Sequence, residues 1–168
     1  MPLDFDQKFF LDKYKYFIFD FDGIIKESVN AKKQAYCQLF ENYKFAKSLI
    51  EEHHLLNCGV SRYEKIPIYL KYCNLEASNE LIDHYLKKFS EIVIKSVIQS
   101  DWVPGIIKFL DQINENKNIF IVSATPEFEI KNICNKLRLK VPYENIFGSP
   151  NSKEINIGKF FKKELQKD

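Results

Sequence analysis

The sequence predicts an α/β fold, in which helices pack on a mainly parallel β-sheet, and three observations support this. Continuous apolar runs occur at Tyr16–Phe21 and Asn118–Val122, with a weaker run at Tyr143–Phe147. Short runs of this kind are typical of strands that are buried on both faces of a parallel sheet. Beyond residue 100 the predicted strands and helices alternate, as they do in βαβ units with right-handed crossovers.

Helical periodicity accounts for most of the remaining chain, and a long helical block separates the first two predicted strands. The predicted helices are Ala31–Tyr43, Ser61–Tyr72, Ser78–Ile98, Ile106–Asn114, Glu127–Leu137 and Glu154–Gln166. Ser78 suits a helix N-cap, and Thr125-Pro126 suits the cap and first turn of the helix that follows the second strand.

The helical block is interpreted as an insertion after the first strand. Residues 1–28 and 100–168 are expected to form one core domain, and residues 29–99 a helical cap domain. An insertion at this place lies over the carboxyl ends of the strands, where open α/β sheets bind ligands. The chain has 168 residues, which is enough for one core and a modest insertion.

Composition and charge exclude several classes of function. The 25 basic and 23 acidic residues give a net charge of +2, which indicates no extended nucleic-acid surface. No apolar run approaches the ~20 residues that a membrane span needs. The first residues are too acidic for a signal peptide, and the four cysteines form no CxxC pair. We therefore expect a cytoplasmic protein with free thiols and with neither a membrane nor a nucleic-acid partner.

Two carboxylates stand at the end of the first predicted strand. Asp20 and Asp22 are two residues apart and therefore lie on the same side of the strand, while Gly23 allows a sharp turn just beyond. Holding two carboxylates together is costly unless a cation or a chemical task requires them. The alternative is a pair of acids that caps the strand end. Residues 4–6 repeat the DFD pattern without the strand or the glycine, and are interpreted as a solvated segment.

A serine and a lysine follow the other two predicted strands. Ser123 ends the second strand ahead of a helix, where a hydroxyl and free backbone N–H groups form a cradle for an anion. An ordinary helix cap is the alternative. Lys153 follows the loop at residues 148–150 and brings a cation toward the same edge of the sheet. Its alternative is a solvated lysine.

Taken together and in this order, these residues resemble the haloacid dehalogenase superfamily. The matching segments are FDFDGIIKES at 19–28, IVSATP at 121–126 and GSPNSKE at 148–154. The resemblance covers nearly the whole chain. It implies a Rossmann-like core with a shortened sheet and a helical cap inserted after the first strand.

The resemblance also implies phosphoryl transfer. In the family the first aspartate, here Asp20, attacks phosphorus and becomes an aspartyl-phosphate. The second, here Asp22, protonates the leaving oxygen and then activates water. Ser123 would hydrogen-bond a phosphoryl oxygen, and Lys153 would neutralise charge. Mg²⁺ would be held by the Asp20 carboxylate and the backbone carbonyl of Asp22.

A fourth match lies in the predicted cap. The sequence Gly-Val-Ser-Arg that begins at Gly59 resembles the substrate-specificity loop of the β-phosphoglucomutase-like branch. In that branch the arginine, here Arg62, contacts an anionic part of the substrate, and its planar fork suits phosphate or carboxylate. Gly59 and Ser61 are expected to bind substrate with it, together with Gly23 and Ala124 of the core. The alternative is an ordinary helix start with Ser61 as the N-cap.

The chain departs from the family pattern at two places. No strand that ends in an acidic pair follows Lys153, although the family's fourth motif supplies further magnesium ligands there. We therefore expect weaker Mg²⁺ binding. We also expect an apolar first-strand edge that residues 1–13 cover, or that pairs in a homodimer. The β-phosphoglucomutases carry a histidine where this chain has Lys32, which favours a phosphatase over a mutase.

The expected function is therefore a Mg²⁺-dependent phosphatase that acts on a small phosphorylated metabolite such as a sugar phosphate. A catalytically weak or inactive protein that binds phosphate ligands or a partner is the alternative, because the fourth motif is missing. A phosphomutase is a lesser alternative. His53, His54 and His84 have no role in these hypotheses and are expected to be core or surface residues.

Overall fold

The computed structural model describes residues 13–113 and 118–165 and contains, within them, one three-stranded parallel sheet. The strands are β1 (Tyr16–Phe19), β2 (Asn118–Pro126) and β3 (Ile146–Ser149). Strand β2 lies between the other two. Phe19 pairs with Ile121, and Ile121 with Ile146, so the carboxyl ends of the strands meet at one edge. This confirms the predicted α/β class with a parallel sheet.

Seven α-helices lie in the described residues, and the first five lie between β1 and β2. They are α1 (Val29–Leu39), α2 (Lys47–Leu56), α3 (Arg62–Tyr72), α4 (Asn79–Gln99), α5 (Ile106–Ile113), α6 (Glu127–Lys136) and α7 (Lys153–Leu165). Helices α1–α4 pack on one another, and α4 also contacts α6. None of the helices described is both long enough and apolar enough to cross a membrane.

Two serines cap helices, Ser78 as the sequence predicts and Ser61 as its alternative interpretation states. The Ser78 hydroxyl accepts a hydrogen bond of 3.3 Å from the backbone N–H of Leu81. The Ser61 hydroxyl accepts one of 3.4 Å from the N–H of Tyr63. Each of these caps satisfies an N–H group that has no partner within its own helix.

The predicted third strand begins too early. Residues Tyr143–Asn145 form a short 3₁₀-helix after Pro142, and β3 begins only at Ile146. Tyr143 is 63% exposed, so it does not belong to the buried run that the pattern indicates. Proline has no backbone N–H and a fixed φ, which favours a turn over a strand at this point.

Other boundaries also differ from the predictions. Strand β2 continues through Thr125, so the N-cap position of α6 is occupied by Pro126 and the prediction of a Thr125 cap is wrong. The last helix begins one residue before its predicted start, so Lys153 is the first residue of α7. Helix α2 has no counterpart among the predicted helices. Of its residues only Ile50 and His54 are buried, which makes its apolar period weak.

The core is continuous from the sheet into the helical block. Phe17 of β1 and Ile121 of β2 are buried beneath the helices. In the helical block, the rings of Tyr36 and Phe89 stack with their centroids 4.0 Å apart, which fixes α1 against α4. Offset aromatic stacking of this kind stabilises beyond the area it buries.

The end of β3 fits closely against β2 and α6. A Cβ atom on Gly148 would lie 2.4 Å from the carbonyl oxygen of Thr125 and 2.5 Å from the backbone nitrogen of Glu127. Glycine allows this approach because it has no side chain. The buried Asn156 side chain of α7 donates to the Gly148 carbonyl oxygen at 3.0 Å. The start of α7 is thereby held beside the carboxyl end of the sheet.

Strand β1 is an outer strand of the described sheet, and its Ile18 side chain is 37% exposed. The expectation that residues 1–13 cover this strand falls almost entirely outside the described residues. Pairing of two copies at this strand stays a prediction, as does the division into a core domain and a cap domain.

Candidate active site

A tight turn after β1 positions the two aspartates. Gly23 has a φ of +77°, in the left-handed region that favours glycine. Its N–H donates to the carbonyl oxygen of Lys26 at 2.7 Å, and the N–H of Lys26 donates to that of Phe21 at 3.2 Å. Phe21 is fully buried, and Asp20 and Asp22 flank it in the sequence. The turn therefore anchors its aromatic ring in the core and leaves the neighbouring carboxylates at the sheet edge.

Asp20 is paired with the lysine that begins α7. The Nζ atom of Lys153 lies 2.5 Å from Oδ2 of Asp20, and the N–H of Phe21 donates to Oδ1 at 2.7 Å. The side chain of Asp20 is 35% exposed and that of Lys153 is 28% exposed. The sequence predicts both residues for one site, and the structure brings them into direct contact. Their exposure leaves the carboxylate accessible to a ligand.

Asp22 has a more enclosed environment. Its Oδ1 accepts a hydrogen bond of 2.5 Å from the hydroxyl of Ser28, and its Oδ2 lies 2.5 Å from Nζ of Lys32. Burial raises the pKa of Asp22, but the Lys32 ammonium and the Ser28 hydrogen bond lower it further, so the pKa is below its usual value. Asp22 is therefore an ionised carboxylate at neutral pH.

Lys32 is a site residue that the sequence analysis missed. Besides Asp22, its ammonium contacts the hydroxyl of Thr125 at 2.8 Å. Lys32 belongs to α1, whereas Asp22 follows β1 and Thr125 lies in β2, so one side chain joins three elements. The signal available in the sequence was its place one turn into the helix after the Asp-x-Asp-Gly segment. In the comparison with the β-phosphoglucomutases, Lys32 had only the meaning of a missing histidine.

Ser123 occupies a different place from the one that the sequence predicts, which is the end of the second strand just before a helix. It lies within β2, is 1% exposed, and its hydroxyl accepts a hydrogen bond of 3.1 Å from the N–H of Thr125. It does not stand at a helix N-terminus, because β2 continues for three residues beyond it. Its predicted contact with a phosphoryl oxygen stays a prediction. Within β2, the hydroxyl of Thr125 contacts the Lys32 ammonium of the site at 2.8 Å.

The predicted specificity loop lies next to the aspartate–lysine pair. A Cβ atom on Gly59 would be 3.9 Å from Nζ of Lys153, so the backbone of the loop approaches the ammonium closely. Ser61 caps α3, as its alternative interpretation states, and Ala124 lines a cavity with Arg62. The loop and the core residues therefore approach each other as predicted, while their contacts with substrate stay predictions.

Arg62 is engaged by protein groups. Its Nη1 donates to Glu129 Oε1 at 2.9 Å and to the hydroxyl of Ser90 at 2.8 Å, and its Nη2 lies 2.8 Å from Glu129 Oε2. The guanidinium also stacks over the ring of Phe89 at 4.6 Å. Arg62 is 4% exposed, and its fork is occupied by a carboxylate of α6. Glu129, 67 residues further along the chain, had no role in the prediction.

The two aspartates at the sheet edge suit a magnesium site that has few protein ligands. No cluster of three or more His, Cys, Asp or Glu side chains that could hold a metal ion occurs in residues 13–113 and 118–165. Mg²⁺ is often bound by one or two carboxylates together with substrate phosphate oxygens and water. The exposed carboxylate of Asp20 and the backbone carbonyl of Asp22 fit that smaller donor set.

Fold and site together define a Rossmann-like α/β protein with paired acids at the carboxyl edge of its sheet and a helical block after the first strand. The chain belongs to the haloacid dehalogenase-like hydrolase family, whose sequence profile matches residues 17–156. This confirms the resemblance stated above. No curated protein sequence matches the chain significantly.

Several solved structures share the fold. A β-phosphoglucomutase from Clostridium difficile is 22% identical over 79% of this chain and 60% of its own, with a TM-score of 0.59. A predicted phosphoglycolate phosphatase from Haemophilus somnus is 12% identical over 83% and 66%, with a TM-score of 0.62. A predicted phosphatase from Clostridium acetobutylicum is 17% identical over 84% and 62%, with a TM-score of 0.54. The chain spans less than two thirds of the length of each of these structures.

Proposed function

We propose that this protein is a phosphatase that hydrolyses a small phosphorylated metabolite, with the phosphoryl group carried temporarily on Asp20. The pair formed by Asp20 and Lys153 carries this proposal. The Asp20 carboxylate is 35% exposed at the sheet edge, 2.5 Å from an ammonium. Such a carboxylate can reach an incoming phosphorus atom, while the ammonium offsets the phosphoryl charge. Membership of a hydrolase family supports the same class of reaction.

In the first step a carboxylate oxygen of Asp20 attacks phosphorus in line, and the bond from phosphorus to the leaving oxygen breaks. The leaving oxygen takes up a proton through Asp22. The Lys32 ammonium, 2.5 Å from that carboxylate, is an adjacent source of the proton. Lys153 stabilises the negative charge that gathers on the phosphoryl oxygens.

In the second step water attacks the phosphorus of the aspartyl-phosphate, and the bond between phosphorus and the Asp20 oxygen breaks. Asp22 accepts the proton of the attacking water and passes it to Lys32, which restores the ammonium–carboxylate pair, and inorganic phosphate leaves. Lys32 and Ser28 outweigh the effect of burial and lower the pKa of Asp22. The carboxylate is therefore ionised and able to act as a base at neutral pH.

Enzymes of this family generally use Mg²⁺. The Asp20 carboxylate and the Asp22 backbone carbonyl would hold the ion in this chain. When bound, it would supply positive charge to the phosphoryl oxygens during transfer.

Release of inorganic phosphate from a panel of monophosphate esters, measured with Mg²⁺ present, tests the proposal. The panel includes sugar phosphates, phosphoglycolate and p-nitrophenyl phosphate. Asp20→Asn is the matched control, because the amide keeps the size of the side chain and removes the nucleophile. We expect its turnover to fall to the background rate. Equal release by the wild-type and Asp20→Asn proteins would contradict the proposal.

A second candidate is a protein that binds phosphate ligands without turnover. The observation that favours it is that no third acidic side chain joins Asp20 and Asp22 in the described residues. Titration calorimetry with inorganic phosphate would then show binding that Lys153→Met abolishes, while no ester in the panel is hydrolysed.

A further inference from the structure

A buried ion pair joins the helical block to the helix that follows β2. Arg62 is the first residue of α3, and Glu129 lies in the first turn of α6. Nη1 of Arg62 donates to Oε1 of Glu129 at 2.9 Å, and Nη2 lies 2.8 Å from Oε2, without the alignment of a hydrogen bond. The two side chains are 3% and 9% exposed. The guanidinium therefore already has a carboxylate partner within the protein.

Two further residues, both in α4, hold the guanidinium in its orientation. Nη1 of Arg62 also donates to the hydroxyl of Ser90 at 2.8 Å, and that hydroxyl donates to Oε1 of Glu129. The Cζ atom of Arg62 lies 4.6 Å from the centre of the Phe89 ring. Because the guanidinium is a planar fork, contacts at its nitrogens and over its face fix the direction in which it points.

The loop that precedes α3 connects this pair to the proposed phosphoryl site. A Cβ atom on Gly59, three residues before Arg62, would lie 3.9 Å from Nζ of Lys153. The same Nζ atom lies 2.5 Å from Oδ2 of Asp20. The backbone that leads into the ion pair is therefore in contact with the ammonium that faces the proposed nucleophile.

A buried phenol gives a second connection. The ring of Tyr36 stacks on that of Phe89 at 4.0 Å, and Phe89 in turn contacts Arg62. Burial raises the pKa of the Tyr36 phenol, and the charge of Arg62 lowers it. The carboxylates of Asp22 and Glu129 raise it as well. The phenol is thus within electrostatic reach of the second aspartate of the site and of both members of the ion pair.

A cavity beside the pair is too small for a further anionic group. Arg62 lines it together with Ala124 and Thr125 at the end of β2, and its volume is about 20 Å³. That is close to the room that one water molecule needs. A phosphate or carboxylate could reach the fork only if Glu129 left it, and a buried carboxylate without a partner is unfavourable.

We infer that Glu129 is an internal counter-ion that withholds the Arg62 fork from ligands, so that the substrate is a phosphate monoester whose alcohol part carries no negative charge. The inference rests on the proposed function, because it concerns the ester that is hydrolysed at Asp20. The resemblance of the loop implies an arginine that contacts an anionic part of the substrate, and the Glu129 carboxylate takes that place here. Glu129 is a positioning residue, since it acts on the substrate only through Arg62.

Pairs of esters that differ in one carboxylate test this inference. The pairs are glycerol 3-phosphate with 3-phosphoglycerate, and glucose 6-phosphate with 6-phosphogluconate. We expect the wild-type kcat/KM to favour the uncharged member of both pairs by about 10- to 100-fold, the range for one hydrogen bond to a charged group. Glu129→Gln frees the charge of the fork and should shift the ratio of the two kcat/KM values toward the carboxylate member by at least about tenfold.

Three further variants separate this effect from a change in folding. Glu127→Gln makes the same change in the same turn of α6 and should leave the ratio as it is in the wild type. Glu129→Asp keeps the charge but draws the carboxylate back from the fork, so it should give a smaller shift in the same direction. It also tests the inference if Glu129→Gln does not fold. Arg62→Gln combined with Glu129→Gln removes the cation and should abolish the shift.

Calorimetry on the same proteins with Asp20→Asn added measures the preference in binding, without any need for turnover. A shift in binding toward the carboxylate members in Glu129→Gln, with no ester hydrolysed, would refute the proposed function and leave the inference standing. A wild type that hydrolyses the carboxylate members equally well or better would overturn the inference alone. Equal losses for both members of a pair in the Glu129 variants would do the same, because they would show a purely structural role. A shift that the double variant keeps would also overturn it.

Discussion

Each of the two aspartates of the site forms an ion pair with a lysine, but the two pairs differ in their exposure to solvent. Asp20 with Lys153, and Asp22 with Lys32, each have a nitrogen–oxygen distance of 2.5 Å. The first pair is 35% and 28% exposed, whereas the second is 12% and 13% exposed. Solvent screens an exposed pair, so it separates at little cost when a ligand arrives. In an enclosed pair each charge depends on the other, because removal of one leaves a buried charge without a partner.

The enclosed pair gives the largest expected effect on stability. Lys32→Met removes the counter-charge of Asp22 and should lower the free energy of unfolding by about 3–5 kcal/mol. Urea denaturation followed by circular dichroism measures this change. Asp22→Asn in the same chain removes the uncompensated charge, so the double variant should recover at least half of the loss. A loss below 1 kcal/mol for Lys32→Met alone would show that the two pairs do not differ as described.

The buried side chain of His54 in α2, whose Nδ1 accepts from the Lys65 ammonium at 3.1 Å, extends the comparison to pH. The pKa of His54 is about 4 in the folded protein, against 6.5 as its ordinary value, so the unfolded chain binds the proton more tightly. Its contribution to stability is therefore complete above about pH 6.5 and is lost as the pH falls toward about 4. The expected loss is about 2–3 kcal/mol over that range.

Denaturation midpoints between pH 7 and pH 4 measure the contribution of this histidine. His54→Asn is the matched variant, because its side-chain oxygen can accept from Lys65 where Nδ1 does, and it does not titrate. The slope of stability against pH should be smaller in His54→Asn. Equal slopes in the two proteins would show that other groups account for acid unfolding.

The exposed pair gives the smallest expected effect on stability. Lys153→Met should change the free energy of unfolding by less than about 1 kcal/mol, because solvent screens the pair. The same variant should lower kcat/KM by about 100-fold if the ammonium offsets charge in the transition state. Denaturation and kinetics on one protein preparation separate the two effects. A loss of several kcal/mol would mean that the pair has a structural role similar to that of Lys32.

Local patterns were enough to predict much of this molecule. The chain is apolar without interruption at residues 16–19 in β1 and 119–122 in β2. Ser61 and Ser78 cap helices because each acts on its own first turn. The pairing of Asp20 with Lys153 was also accessible, since both follow strands of one parallel sheet and the ends of such strands meet at one edge.

The remaining site contacts depend on packing between distant segments. Arg62 meets Glu129 across 67 positions, and Lys32 meets Thr125 across 93. No periodicity or motif relates such residues, because the distance between them depends on how the helical block is placed over the sheet. The contact of Lys65 with His54 also belongs to the packed interior, since the two side chains meet only when α2 and α3 pack together.

The ammonium of Lys32 links the position of helix α1 to the protonation of Asp22. It is attached to α1 at the start of the helical block, yet its contacts at 2.5 and 2.8 Å are with the loop after β1 and with β2. A shift of α1 by the length of one hydrogen bond would deprive Asp22 of its main stabilising charge, and the affinity of that carboxylate for a proton would rise. Movement of a helix would thus act as a mechanical control on the acid–base state of the neighbouring loop.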